Sequence, residues 1–265
     1  MAKFKKVQIK PLTELAALKL QKASEKHFDA SELPQEAQRK LMEKLMEIAR
    51  KTDGAVVAKP VGGKQYVSAL VKTTKKKGKT FSFPEPNPIH AYYKIAVSHL
   101  EAAEAAQHHF HEVDNHPEQE YEAFCNLFEE ITQGIVFLLM TVEGFINQLP
   151  TEDQTYQING EAKSKTEIEW MNFTDKLRQA IPILAGIDIY ANNRPVYDRL
   201  ILLNNLRNDL IHLKKLELAN FTYYQLLFKR LLDFPSVDVS NAVYDFISTV
   251  KTGFFDHDEN VDQPA

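Results

Sequence analysis

Arg207 and His212 stand five apart in the run Leu206-Arg207-Asn208-Asp209-Leu210-Ile211-His212. One is a fixed positive charge whose fork of donors fits a phosphate; the other exchanges protons near neutral pH. Together they meet the minimum requirement for cleaving RNA without a metal. That reaction needs a base for the 2′-hydroxyl proton, support for charge building on the phosphate, and an acid for the leaving 5′-oxygen. An imidazole with an ordinary pKa of about 6.5 can act as acid or base. A guanidinium carries the phosphate charge and cannot lose its own. Asn208 is a candidate to orient the phosphate or the histidine. The structural alternative is an Arg207 paired with Asp209 or another acid and a His212 that only covers a surface.

Two other groups could do chemistry. Gln107 to His116 reads QHHFHEVDNH, and His108, His111 and His116 could supply zinc ligands. Yet the set has no HExxH arrangement, and histidines near the negative end of a helix dipole are the simpler reading, so no metal and no other cofactor is expected. Lys72 to Lys79 holds five lysines in eight residues, beside Tyr66, Phe81 and Phe83. Lys75, Lys76, Lys77 and Lys79 could contact RNA phosphates, with the aromatics stacking on unpaired bases; the alternative is a solvated hairpin tip. No Walker loop, dinucleotide-binding glycine pattern, nucleophile elbow or kinase motif set occurs, which argues against the common nucleotide-using enzymes.

The elements that must position these residues are mostly helices. Arg194 to Leu216 reads as one helix with Leu203, Leu206, Leu210 and Leu213 on a buried stripe. Asn204, Arg207, Asn208, His212 and Lys215 are expected on the polar side, Arg207 and His212 roughly 140° and about 7.5 Å apart. Ile89 to Val113, Pro117 to Leu149 (with a possible kink near Gly134), Lys165 to Ile183, Phe221 to Leu232 and Ser240 to Thr252 complete a bundle, with a polar insert at Pro150 to Ser164. Before it, Pro11 to Phe28 and Leu33 to Thr52 read as amphipathic helices. Asp53 to Phe83 reads as a small two- or three-stranded ribbon with glycines at its turns. Three prolines in Phe83-Pro84-Glu85-Pro86-Asn87-Pro88 suit neither helix nor central strand. The expected organisation is therefore mainly α: a basic N-terminal α+β appendage at 1–83, a linker at 84–90, an antiparallel helical bundle at 91–252 and an acidic disordered tail at 253–265.

Charge follows the same division. Residues 1–80 carry 19 Lys+Arg against 8 Asp+Glu, or +11, and the remainder 13 against 28, or −15. A basic arm of this kind suits a polyanion, or simply the acidic part of its own chain. Cys125 is the only cysteine, which rules out an intrachain disulfide and suits a reducing compartment. The longest apolar run, Gly134 to Val142, is half the length of a spanning helix, and the N-terminus lacks a signal-peptide core; a cytoplasmic protein with no membrane partner is expected.

An arginine followed by a polar residue, with a histidine a few positions on, late in an all-helical domain, resembles the signature of the HEPN superfamily. Phe137 to Leu149, FLLMTVEGFINQL, resembles an early helix of many of its members. The resemblance spans about Ala91 to Lys251 but is carried by these two stretches. It implies a metal-independent endoribonuclease that leaves 2′,3′-cyclic phosphates on single-stranded RNA, with the site assembled across a homodimer. A toxin or antiviral defence role, with or without a neutralising protein partner, goes with it. It also implies that Glu143 and Asn147 reach the site, Glu143 positioning Arg207 or His212. The rival expectation is a binding module of the same fold, without catalysis, for RNA, a nucleotide or a protein.

Overall fold

The computed structural model describes residues 3–9, 36, 43, 54–61, 64–74, 80–84, 86–113, 117–213 and 224–255. The expected helices at Pro11–Phe28 and Leu33–Thr52 and the acidic tail beyond Phe255 lie outside the described residues, apart from isolated helical positions at Glu36 and Glu43. The chain forms two compact units, Ile9–Pro88 and Met1–Gln8 with Ile89–Ala265.

In the first unit β1 (Gly54–Val61), β2 (Lys64–Thr74) and β3 (Thr80–Pro84) form an antiparallel sheet in the order β1-β2-β3. Val61 pairs with Lys64, with two glycines between them in the sequence. Pro60 lies in β1, an edge strand, where a missing N–H costs no central ladder bond.

The second unit is a helical bundle, and the described residues are mainly α-helical. Helix α1 (Pro88–Glu112) buries Ile89, Tyr93, Ala96, Val97, Leu100 and Ala103, and α2 (Pro117–Asn147) buries Leu127, Ile131, Ile135, Leu138, Leu139, Val142, Phe145 and Ile146. These are steps of three and four, one face per helix. Among the described residues only α2 is long and apolar enough to cross a membrane, and its apolar face is spent on this core. It runs without interruption through Gly134, where a Cβ would lie 2.5 Å from Leu100 Cδ2; the glycine lets the two helices approach closely.

The region expected as a polar insert contains a hairpin, β4 (Tyr156–Ile158) and β5 (Glu161–Lys163), turning at Asn159 and Gly160, both of positive φ. Asn-Gly is the pair that such a two-residue turn favours. The helix expected over Lys165–Ile183 is broken into pieces. Ser164 and Glu167 form a reciprocal capping box at the start of α3 (Lys165–Glu169). Asn172 then caps a new turn, α4 (Phe173–Asp175), by accepting the Asp175 N–H. A π-helical segment, Lys176–Ala180, follows, closed by the Ile181 N–H donating to the Lys176 carbonyl, and then α5 (Ile181–Ala185). Pro182 has no N–H to give the preceding turn, which accounts for a change of hydrogen-bond pattern there. Ile158, Ile168 and Ala180 form a small core under this region.

Helices α6 (Ile189–Asn192), α7 (Arg194–Ile211), α8 (Gln225–Leu232) and α9 (Ser236–Val250) complete the bundle, with α7 packed on α2 and α9. The first residues of the chain belong to this unit rather than to an appendage reaching from residue 1. The Tyr93 hydroxyl donates to the Lys5 carbonyl at 3.0 Å, the Lys5 N–H donates to Asn241 Oδ1 at 2.9 Å, and Val7 is buried. Lys6 pairs with Glu101 at 2.7 Å, and Lys5 with Asp245.

Candidate functional site

Helix α7 starts where Asn193 accepts the Val196 N–H and buries Val196, Tyr197, Leu200, Leu203 and Leu206. Among the described residues its apolar stripe then loses its cover. Leu210 is half-buried, while Ile211 is 49% and Leu213 51% exposed, so Leu213 does not join the buried face expected of it. The helix accordingly ends at Ile211, short of the expected Leu216. His212 follows as the cap residue, off helical geometry at φ −102 and ψ 53, its N–H donating to the Asn208 carbonyl at 2.8 Å. His212 is exposed; Asn204, Arg207 and Asn208 are half-buried.

Asn208 holds the arginine: Arg207 Nη1 donates to its Oδ1 at 3.1 Å. The neighbouring acid is committed elsewhere, since Asp209 pairs with Arg230 of α8. Among the described residues Arg207 has no carboxylate partner. The result is a guanidinium anchored by a neutral amide, five residues along the chain from a solvent-facing imidazole.

Glu143 and Asn147 lie at the other end of the bundle. On α8, Phe228 meets Phe124 and Phe128 of α2 at 5.2 and 5.7 Å between ring centroids, and the same helix carries Arg230, so the Asp209 end of α7 sits beside the first half of α2. Glu143 lies fifteen residues beyond Phe128, about 22 Å along the helix. There Asn147 Oδ1 accepts from Lys176 Nζ at 2.9 Å. Lys176 is 4% exposed, and burial pulls its pKa below the ordinary lysine value, opposed by the nearby charges of Glu143 and Glu169. The partner of the FLLMTVEGFINQL residues is thus this lysine in the π-helical segment. No spacing in the sequence announces it, because Lys176 comes from an irregular turn.

His108 is exposed and pairs with Glu112 at 3.3 Å, one turn on; His109 and His111 are exposed as well. Among the described residues no group of three or more side chains could hold a metal; His116 lies outside them, as do Lys75, Lys76, Lys77, Lys79 and Lys215. A second cationic group, unforeseen in the sequence, gathers at the start of α7, where Arg178 and Arg194 both stack on Tyr190. No family model, no curated protein and no solved structure matches this chain.

Proposed function

We propose that the chain is a HEPN-like, metal-independent endoribonuclease that cuts single-stranded RNA at the Arg207–Asn208–His212 end of α7, the site being completed by a second copy. A toxin or antiviral defence role fits such an activity. The observation that carries this reading is the Arg207 guanidinium held by Asn208 while Asp209 is occupied by Arg230. It leaves a positive charge available to a phosphate beside the exposed His212. In the reaction Arg207 binds the scissile phosphate, one His212 takes the 2′-hydroxyl proton, and the partner copy's imidazole protonates the leaving 5′-oxygen, giving a 2′,3′-cyclic phosphate.

The distance of Glu143 from this end favours a second reading, in which no carboxylate tunes the imidazole and the same surface binds RNA without cutting it. The test is incubation with single-stranded RNA and identification of product ends. Cyclic phosphate products that persist in a chelator and vanish in His212→Ala are expected. Tight binding with no product would select the binding module, and cleavage stopped by the chelator would overturn the metal-free site.

A further inference from the structure

Tyr190, in α6, is 36% exposed and carries two guanidinium groups: Arg178 Cζ is 4.6 Å and Arg194 Cζ 4.5 Å from its ring centroid. Tyr197 meets the ring edge-on at 5.0 Å, with Arg194 Cζ also 5.5 Å from the Tyr197 centroid. Three elements contribute, the π-helical segment, α6 and α7, so the cluster is a tertiary construction. Two arginines stand beside two aspartates in this stretch, so what matters is which of them is paired and not the net charge. Arg194 Nε donates to Asp198 at 2.7 Å, and Asp188 spends its carboxylate on the Ala191 N–H at 3.0 Å. Arg178 is exposed and, among the described residues, has no carboxylate partner. That unpaired guanidinium, on a chain segment with 13 basic against 28 acidic residues, offers its donors to an anionic group such as a phosphate.

The cluster is also in line with the site at the far end of α7. Arg194 and His212 are eighteen residues apart, five helical turns, which puts them on one line about 27 Å long. Between them along that face are Asp198, whose carboxylate holds Arg194, and Ile201, Asn205 and Asn208, all exposed or half-buried. Guanidinium planes and tyrosine rings stack on unpaired bases, and a guanidinium fork also fits the attached phosphate.

We propose that the Arg178–Tyr190–Arg194 stack is a second subsite for single-stranded RNA, gripping a base and its phosphate while the strand runs along the exposed face of α7 toward His212. This rests on the endoribonuclease reading of the His212 end. It predicts a preference for unpaired RNA, because a duplex keeps its bases stacked on one another and offers none to the arginines.

The test measures binding and cleavage by the full chain, using a labelled single-stranded RNA decamer, a dinucleotide and a fully paired duplex. Tyr190→Ala and Arg178→Gln are each expected to weaken decamer binding about tenfold. They should raise KM for the decamer with kcat unchanged, and leave the dinucleotide unaffected because it is too short to span both places. Tyr190→Trp should restore binding, which a merely structural role for the tyrosine would not predict. Arg178 is exposed, so Arg178→Gln keeps the fold, and matching thermal melts check this. Unchanged decamer affinity in both variants, with His212→Ala still abolishing cleavage, would overturn the subsite and leave the nuclease standing. Decamer binding that depends on Tyr190 but never leads to cleavage would support the subsite and overturn the nuclease. A wild-type chain that binds no RNA would overturn both.

Discussion

At the scale of single residues, the proposed site gives phosphate charge to Arg207 and proton transfer to His212. His212→Ala removes a proton-transfer group and no fixed phosphate charge, so cleavage should fall about 10²-fold to 10⁴-fold with RNA affinity nearly intact. Arg207→Ala should lower both affinity and kcat, since the guanidinium meets the phosphate in the ground state and the transition state. Lys176 gives a prediction about stability. Its folded-state pKa lies below the unfolded value, so between the two the unfolded chain binds more protons, and stability rises with pH through that window. Lys176→Met removes this contribution. Urea denaturation from pH 8 to 10 should therefore show wild type gaining on the variant as pH rises; parallel curves would mean that the lysine is paid no penalty for burial.

At the scale of elements, the bundle depends on helices that touch at particular small residues. Gly134→Ala gains helix propensity of about 1 kcal/mol, but its methyl would lie 2.5 Å from Leu100, a fully buried side chain that must shift to admit it. The net expectation is a loss of about 1–2 kcal/mol, read as a lower denaturation midpoint with an unchanged slope. Replacement by serine should be at least as damaging. The segments between α2 and α7 behave differently. They are short; Ser164, Asn172 and Asp188 cap three of them, while the π-helical segment and α5 begin without a side-chain cap.

At the scale of the whole molecule, the helical unit is closed by the start of the chain. Tyr93 is fully buried, and burial, reinforced by the nearby Tyr244 and Asp245, pushes its hydroxyl well above the ordinary tyrosine pKa, so it stays a neutral donor to the Lys5 and Ser240 carbonyls. Tyr93→Phe should cost about 1–2 kcal/mol and speed hydrogen exchange at residues 3–8, with the helix cores protected as before. Association is the other property at this scale. A site completed by a second copy predicts a homodimer by light scattering at micromolar concentration; a monomer that still cleaves RNA would remove the need for a second histidine.

Several features of this molecule were legible in its residues. The three- and four-residue spacing of Tyr93, Ala96, Val97 and Leu100, or of Leu127, Ile131, Ile135 and Leu138, makes a one-sided helix wherever it occurs, because only the helical period brings those side chains to one face. The Asn159-Gly160 turn was equally readable, though the expectation of a plain polar insert passed over it. The end of α7 was not. Leu213 completes the leucine pattern, but a stripe is buried only as far as a neighbour extends, and among the described residues none covers α7 at Ile211 and Leu213. The surroundings of the candidate site followed tertiary structure for the same reason. Local spacing places Arg207 and His212 near each other, whereas which acid Arg207 meets depends on α8 delivering Arg230 to Asp209. Whether Glu143 reaches His212 depends on how far along α2 the helices cross. Lys176, Arg178, Tyr190 and Arg194 share no period, and only the broken path of the chain between Lys165 and Asn193 brings Lys176 to Asn147 and stacks both arginines on Tyr190.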